Sequence, residues 1–198
     1  REQDKKHFNP GTLMAMTYLN LKDPLTIKIM RKFMVDIGYK FQRWGHSLFK
    51  KIGLVNFSKK SPKSTVGKSS ISTQVIHFMN RPMPKEMPTK TSRGLLGIED
   101  DKVIPVIRNI DKIDENSEAV FYFPGCGSER LFSQVGLATQ AMLYKVGAIT
   151  VLPPGYLCCG YPQTSSGDHD KGQEITSDNR VQFHRVANTL NYLDIKTV

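Results

Sequence analysis

The chain has 198 residues, 39% of them hydrophobic and 23% charged, with a formal net charge of +10. That length holds one sizeable domain or a domain with an appendage. It contains no run of ~18 apolar residues, which excludes a bilayer-spanning helix, and it shows no signal-peptide layout.

The positive charge belongs to one half. Residues 1–93 carry 19 Lys/Arg against 5 Asp/Glu, whereas residues 94–198 carry 9 against 13. Such a split predicts a basic docking segment ahead of a mildly acidic globular domain. Opening on Arg1 and stopping at Asp194-Ile-Lys-Thr-Val198, both ends read as internal to something longer. Three cysteines and no export signal argue for a reducing, cytoplasmic compartment and against a disulfide framework.

Phe8-Asn9-Pro10-Gly11 predicts a turn, and Thr12 to Leu21 a short helix. Asp23-Pro24 then supplies an N-cap with proline at the first helical position. From there Leu25, Ile27, Ile29, Met30, Phe33, Met34, Ile37, Phe41, Trp44 and Leu48 recur mostly at three- and four-residue steps. Lys28, Arg31, Lys32, Lys40, Arg43, Lys50 and Lys51 fill the gaps. The pattern predicts a basic amphipathic helix or helix pair, with Gly38 and Gly45 as weak points. A helical layer packed on a neighbouring domain is the plainest use for it. A helix lying on an anionic membrane surface is the sharper alternative. Nucleic acid is disfavoured, because no reading motif accompanies the charge.

Ser58 to Ser72 is polar and basic and reads as a linker. Its Gly67-Lys68-Ser69 mimics the end of a phosphate-binding loop, but the pattern needs glycine where Pro62 stands. Arg81 to Pro88 carries Pro82, Pro84 and Pro88, so it must be extended and cross a surface. These features divide the chain into a basic helical connector (1–57), an extended linker (58–100) and a globular domain (101–198), with order beginning near residue 100.

Within the globular part, Ala119 to Phe123 reads as a buried strand ended by Pro124-Gly125. Ser128 is placed to cap a helix from Glu129 to about Val146, with Leu131, Val135, Ala138, Met142 and Val146 on its inner face. Ala148 to Leu152 is a second strand, and Ser165 to Gly172 a turn-rich stretch. A helix from about Ile175 to Leu193 follows, with Val181, His184, Val186, Leu190 and Leu193 as inner candidates, and a third strand begins at Ile195. The order β-α-β-α-β predicts an α/β domain with a parallel sheet and right-handed crossovers.

All three cysteines fall in this part: Cys126, in Phe-Pro-Gly-Cys-Gly, and Cys158-Cys159, followed by Gly160. Incidental cysteines are usually small buried hydrophobes, yet these stand on Gly/Pro-rich loops. In a parallel sheet both loops emerge at the carboxyl edge, where α/β proteins place ligands. Gly125, Gly127 and Gly160 leave room for a guest and expose backbone N–H groups to sulfur. The bland alternatives are unrelated core cysteines or a redox dithiol. Neighbouring cysteines make only a strained disulfide ring, and zinc wants four ligands. His169, in a plain turn, is a weak candidate for one of them.

The phrase Cys126-x31-Cys158-Cys159-Gly160 resembles the first three cysteines of the CCG cysteine-rich domain. That family includes a component of heterodisulfide reductase and the iron–sulfur subunits of glycolate oxidase, anaerobic glycerol-3-phosphate dehydrogenase and lactate-utilisation proteins. The resemblance covers about residues 119–198. It implies a cluster of [4Fe–4S] type held by Cys126, Cys158 and Cys159, with Gly125, Gly127 and Gly160 shaping the pocket. It further implies electron transfer with a flavoprotein partner that carries FAD and oxidises a 2-hydroxyacid of glycolate or D-lactate type. A heterodisulfide- or thiol-reducing catalytic domain is the alternative, and a non-metal basic docking module a third reading. The family pattern continues with a further Cys-x-x-Cys, expected after Val198, and often with ferredoxin-type cysteines, expected before residue 1. By that reading the chain is a fragment, not catalytic alone.

Overall fold

The computed structural model describes residues 10–53 and 79–197. The linker expected over 58–72, the Gly67-Lys68-Ser69 sequence and Phe8-Asn9 lie outside them. The chain separates into two compact units, one formed by residues up to Lys28 together with those from Lys90 onward, the other by Ile29–Thr89.

The first unit holds α1 (Pro10–Asn20) and then everything after the proline-rich stretch. Pro10 and Gly11, expected in a turn, open this helix instead. In the second unit lie the end of α2 (Pro24–Arg31) and all of α3 (Gly38–Lys51). Back in the first, a short helix, α4 (Ser92–Leu96), is capped by Thr91, whose hydroxyl accepts from the Gly94 N–H at 3.0 Å. Order thus begins earlier than residue 100, and Thr91, Ser92 and Arg93 are all buried.

The sheet has three strands, β1 (Val106–Ile107), β2 (Ala119–Phe121) and β3 (Ile149–Val151), in the order β1-β3-β2. β2 and β3 are parallel, with Phe121 beside Val151, as a βαβ unit requires. The third strand expected from Ile195 is present as one parallel bridge, Thr197 to Val120, with the Phe121 N–H donating to the Thr197 carbonyl at 2.9 Å. β1 is absent from the sequence expectation, and it pairs antiparallel with β3, so the α/β sheet is mixed rather than wholly parallel. Two residues after Pro105 are too few to leave an alternating pattern.

The helix expected from Glu129 is broken. A π-helical turn (Gly127–Leu131) is followed by Phe132 at φ −107°, ψ 58°, and only then by α5 (Ser133–Val146). Ser128 does not act as the N-cap: its hydroxyl donates back to the Pro124 carbonyl. The break re-indexes the helix, so its buried residues are Ser133, Gly136 and Gln140, while Val135, Met142 and Val146 are exposed. Gly136 explains the change. A side chain there would come within 2.9 Å of the Ser128 carbonyl and 3.4 Å of Ser92, so glycine lets α5 press against the π turn and α4.

After β3 come α6 (Tyr161–Ser165) and the long α7 (His169–Thr189), then a 3₁₀ turn (Asn191–Leu193). The stretch expected as turns is therefore largely helical, and α7 starts at His169 rather than Ile175. Val186 and Leu190 are buried as expected, but Val181 and His184 are exposed. The core joins Phe121 and Val151 to Val186 and Leu190. Phe183 bridges the layers, edge-on to Phe121 at 4.9 Å and to Phe123 at 5.6 Å.

The second unit is built around a helix. α2 has the expected cap, with Asp23 Oδ2 accepting from the Thr26 N–H at 2.7 Å. A π-helical turn (Lys32–Ile37) leads directly into α3, so the irregularity lies before Gly38 and not at Gly45. Gly45 is buried, and a side chain there would meet Met79 at 3.0 Å. The strap of residues 79–89 is extended apart from its first turn, as its prolines demand. Side chains from the helix hold it by its backbone. Gln42 donates to the Arg81 carbonyl at 2.7 Å and accepts from the Met83 N–H at 2.9 Å. Arg43 and His46 donate to the Pro84 and Met79 carbonyls, each at 2.7 Å, and Arg31 donates to that of Pro88.

Candidate metal centre

The loops after β2 and β3 bring Cys126 and Cys158 together, although 31 residues separate them in the chain. Gly125 reverses the backbone at φ +71°, a left-handed value that favours glycine, and delivers Cys126 to the head of the π turn. Gly160, at φ +80°, does the same after Cys159, and a side chain on it would press within 2.8 Å of the Gly172 carbonyl of α7. Asn179 of α7, itself buried, donates to the Cys158 carbonyl at 2.8 Å and pins the loop. Gly127 has ordinary backbone angles and open space around it, so nothing in the structure demands glycine there.

The two thiols interact directly. Cys126 is pushed up because it donates a hydrogen bond to Cys158, and burial adds to the shift. Cys158 is drawn down to about 6, first by that hydrogen bond, then by the Gly160 N–H, the charge of Arg130 and the Cys159 N–H, with burial opposing. The hydrogen bond and the nearby cation thus favour negative charge on the Cys158 side of the pair. Cys159 is exposed beside them. Among the described residues no group of three or more His, Cys, Asp or Glu side chains is gathered closely enough to hold a metal ion. His169 is exposed at the start of α7 and joins no such group.

Several site residues leave little trace in the sequence. Arg130 is fully buried, with Nη1 donating to the Tyr18 carbonyl and Nη2 to that of Leu21, both at 2.6 Å. Beside it, Arg93 Nε donates to Glu129 Oε1 in a buried ion pair, and Arg93 Nη2 donates to the Pro153 carbonyl at 2.8 Å. Burial pushes the Glu129 carboxyl up, and Arg93 and Arg130 pull it back. The Tyr156 ring lies against both guanidiniums, 5.8 Å from Arg93 and 5.3 Å from Arg130. Its hydroxyl donates to Glu99 and contacts the Thr91 hydroxyl, each at 2.6 Å. Gln163, buried on α6, lies 4.0 Å from the Cys158 sulfur. Glu129-Arg130, a charged pair closely following a cysteine in a strand–helix loop, was a usable signal. Asn179 and Gln163 left none. A cavity of 490 Å³ reaches Cys158 from the side of α7, lined among others by Lys22, Asp101, Asp178 and Arg185.

The donor set fits a thiolate-bound metal group in part. Two thiols are in contact, one is already favoured as thiolate, a third stands one residue away, and a buried cation offsets the negative charge. Residues 120–190 match the profile of the CCG cysteine-rich domain. Over those residues the chain is similar to that domain. It is also similar to the probable glycolate oxidase iron–sulfur subunit of Bacillus subtilis (strain 168), with 27% identity over 164 residues. That match covers 83% of this chain but 35% of the relative, so the chain spans about a third of the length of the curated protein it matches. No solved structure matches it. The CCG match takes in the cysteine loops, the π turn and α7, while α1, α4 and the basic helix lie outside the matched residues.

Proposed function

We propose that this chain is an iron–sulfur, electron-transferring part of a flavin-linked oxidoreductase acting on a 2-hydroxyacid of glycolate or D-lactate type. The observation that carries the reading is the meeting of Cys126 and Cys158 beside buried Arg130. Cys126, Cys158 and Cys159 would hold the group, of [4Fe–4S] type, and its bound form supplies one-electron transfer. The chain's own residues prepare that site. Arg130 lowers the cost of thiolate charge, the Gly160 and Cys159 N–H groups face the Cys158 sulfur, and Asn179 fixes the loop that carries it. The Bacillus relative is named as an iron–sulfur subunit of a glycolate oxidase, which supports a partner subunit. On this reading that partner is a flavoprotein whose FAD would take electrons from the substrate. A ferredoxin-type domain before residue 1, a Cys-x-x-Cys after residue 198 and a cytoplasmic setting belong to the same reading. Anaerobic reconstitution with iron and sulfide of the protein extended past Val198, followed by reduction, should give a cluster EPR signal that Cys158→Ser removes. Equal iron and an unchanged signal in that variant would sink the assignment.

The cavity that reaches Cys158 favours one competing use, reduction of a small disulfide at the sulfur site. Turnover of such a disulfide by the reconstituted protein with an external one-electron donor, which supplies the two electrons in successive steps, and without any flavoprotein, separates the two.

A further inference from the structure

Among the described residues, the helix of the second unit has one face occupied and another exposed. Arg31, Val35, Gln42 and Gly45 are buried, and the strap hangs from Arg31, Gln42, Arg43 and His46. On a different face Phe33, Ile37, Phe41, Trp44, Leu48 and Ile52 follow one another at steps of four, four, three, four and four residues. All six are exposed, Phe41 by 69% and Trp44 by 68%. At 1.5 Å per residue α3, along which the stripe runs, is alone about 20 Å long. Soluble surfaces rarely leave so large a contiguous apolar patch without a use.

The charges around the stripe identify what covers it. Between Ile29 and Ile52 there are six basic residues and one acidic one, Asp36. Lys40 stands one helical turn before Trp44 and Lys51 two turns after it, so both share the side of the helix on which Trp44 lies. Lys32, Lys40, Lys50 and Lys51 are exposed. A folded protein partner would need apolar complementarity but not a rim of a single sign. A surface of anionic headgroups over hydrocarbon requires both. Aromatic and branched side chains enter the acyl boundary, while lysine stems lie along it and their ammonium ends reach the headgroups. Among the described residues no helix is long and apolar enough to cross a membrane, so such a contact lies in the interface plane.

We propose that the Phe33–Ile52 stripe with its lysine rim docks this protein onto an anionic lipid bilayer. Trp44 is the only tryptophan in the chain and sits mid-stripe, so its fluorescence reports on the contact itself. With vesicles of phosphatidylglycerol in phosphatidylcholine, the 198-residue chain should co-sediment and its Trp44 emission should shift to the blue. Pure phosphatidylcholine vesicles should do neither. Phe41→Glu with Leu48→Glu, both at exposed positions, should abolish binding with helicity unchanged by circular dichroism. Lys40→Glu with Lys51→Glu keeps the apolar stripe and should weaken binding by roughly tenfold or more. Added salt should weaken binding of the unaltered chain as well. No blue shift with anionic vesicles, equal binding to zwitterionic ones, or binding that survives the Phe41/Leu48 variant would overturn the proposal. So would a lipid-free blue shift that rises with protein concentration and removes vesicle binding, since the stripe would then be the contact between copies of this chain.

Discussion

The two units invert the usual distribution of residues in opposite directions. The unit with the cysteines hides charge: Arg93, Glu129 and Arg130 are all buried, the two guanidiniums lie against Tyr156, and Arg130 acts on the thiols. The helical unit displays what is normally hidden, with Phe33, Phe41 and Trp44 on its surface. Buried polar groups and exposed apolar patches are the informative exceptions to hydrophobic burial. Each costs stability locally and is retained where it performs a task. On the proposed function the task in the first unit is electrostatic, since a thiolate-rich site needs a fixed cation held away from water. In the second it is adhesive. One consequence is that the units should respond oppositely to substitution, the first being sensitive to loss of charge and the second tolerant of gaining it.

The largest expected effect comes from breaking the buried pair. Arg93→Met leaves Glu129 buried beside Arg130 alone, and removal of one partner of such a pair costs ~3–5 kcal/mol. Urea denaturation of the variant should show that loss. Adding Glu129→Gln to Arg93→Met should recover a large part of it, because no isolated carboxylate then remains. If the double variant were as unstable as the single one, packing rather than charge would hold this corner. In the helical unit, the strap rests on Gln42, which makes two hydrogen bonds to its backbone. Gln42→Leu leaves the Arg81 carbonyl and Met83 N–H without those partners, at a cost of about 2 kcal/mol. The strap should open locally while the cysteine unit stays intact. Trypsin cleavage at Lys85 should quicken by roughly thirtyfold, and an unchanged rate would mean that the strap is held elsewhere.

Much of this architecture could be read from the chain because it rests on local chemistry. Asp23-Pro24 starts a helix by capping, the proline run must be extended, and the two β-rich stretches before Pro124-Gly125 and Pro153-Pro154 became parallel neighbours. The convergence of Cys126 and Cys158 followed from that topology alone. What failed was non-local. Apolar spacing points to one inner face for α5, but Gly136 against Ser92 and the Ser128 carbonyl sets a different face inward. β1 exists only because β3 offers it an edge. Arg130 reads as a surface residue until Tyr18 and Leu21, more than a hundred positions earlier, present their carbonyls to it.

The smallest expected effect is the most discriminating for the contrast between units. Phe41→Glu places a charge where a core residue would tolerate none, yet Phe41 is 69% exposed and loses little burial in the folded chain. Glutamate also has the better helix propensity by a few tenths of a kcal/mol, which offsets the contacts removed. Stability in urea should therefore stay within ~0.5 kcal/mol of the parent, the range of ordinary surface changes. The m-value should be unchanged, since no new surface is exposed on unfolding. A loss above ~1.5 kcal/mol, beyond the range of surface substitutions, would show that the aromatic stripe is packed against its own chain in solution. The two units would then obey the same rule. An unchanged stability, set beside a loss of lipid contact, separates adhesion from folding at a single side chain.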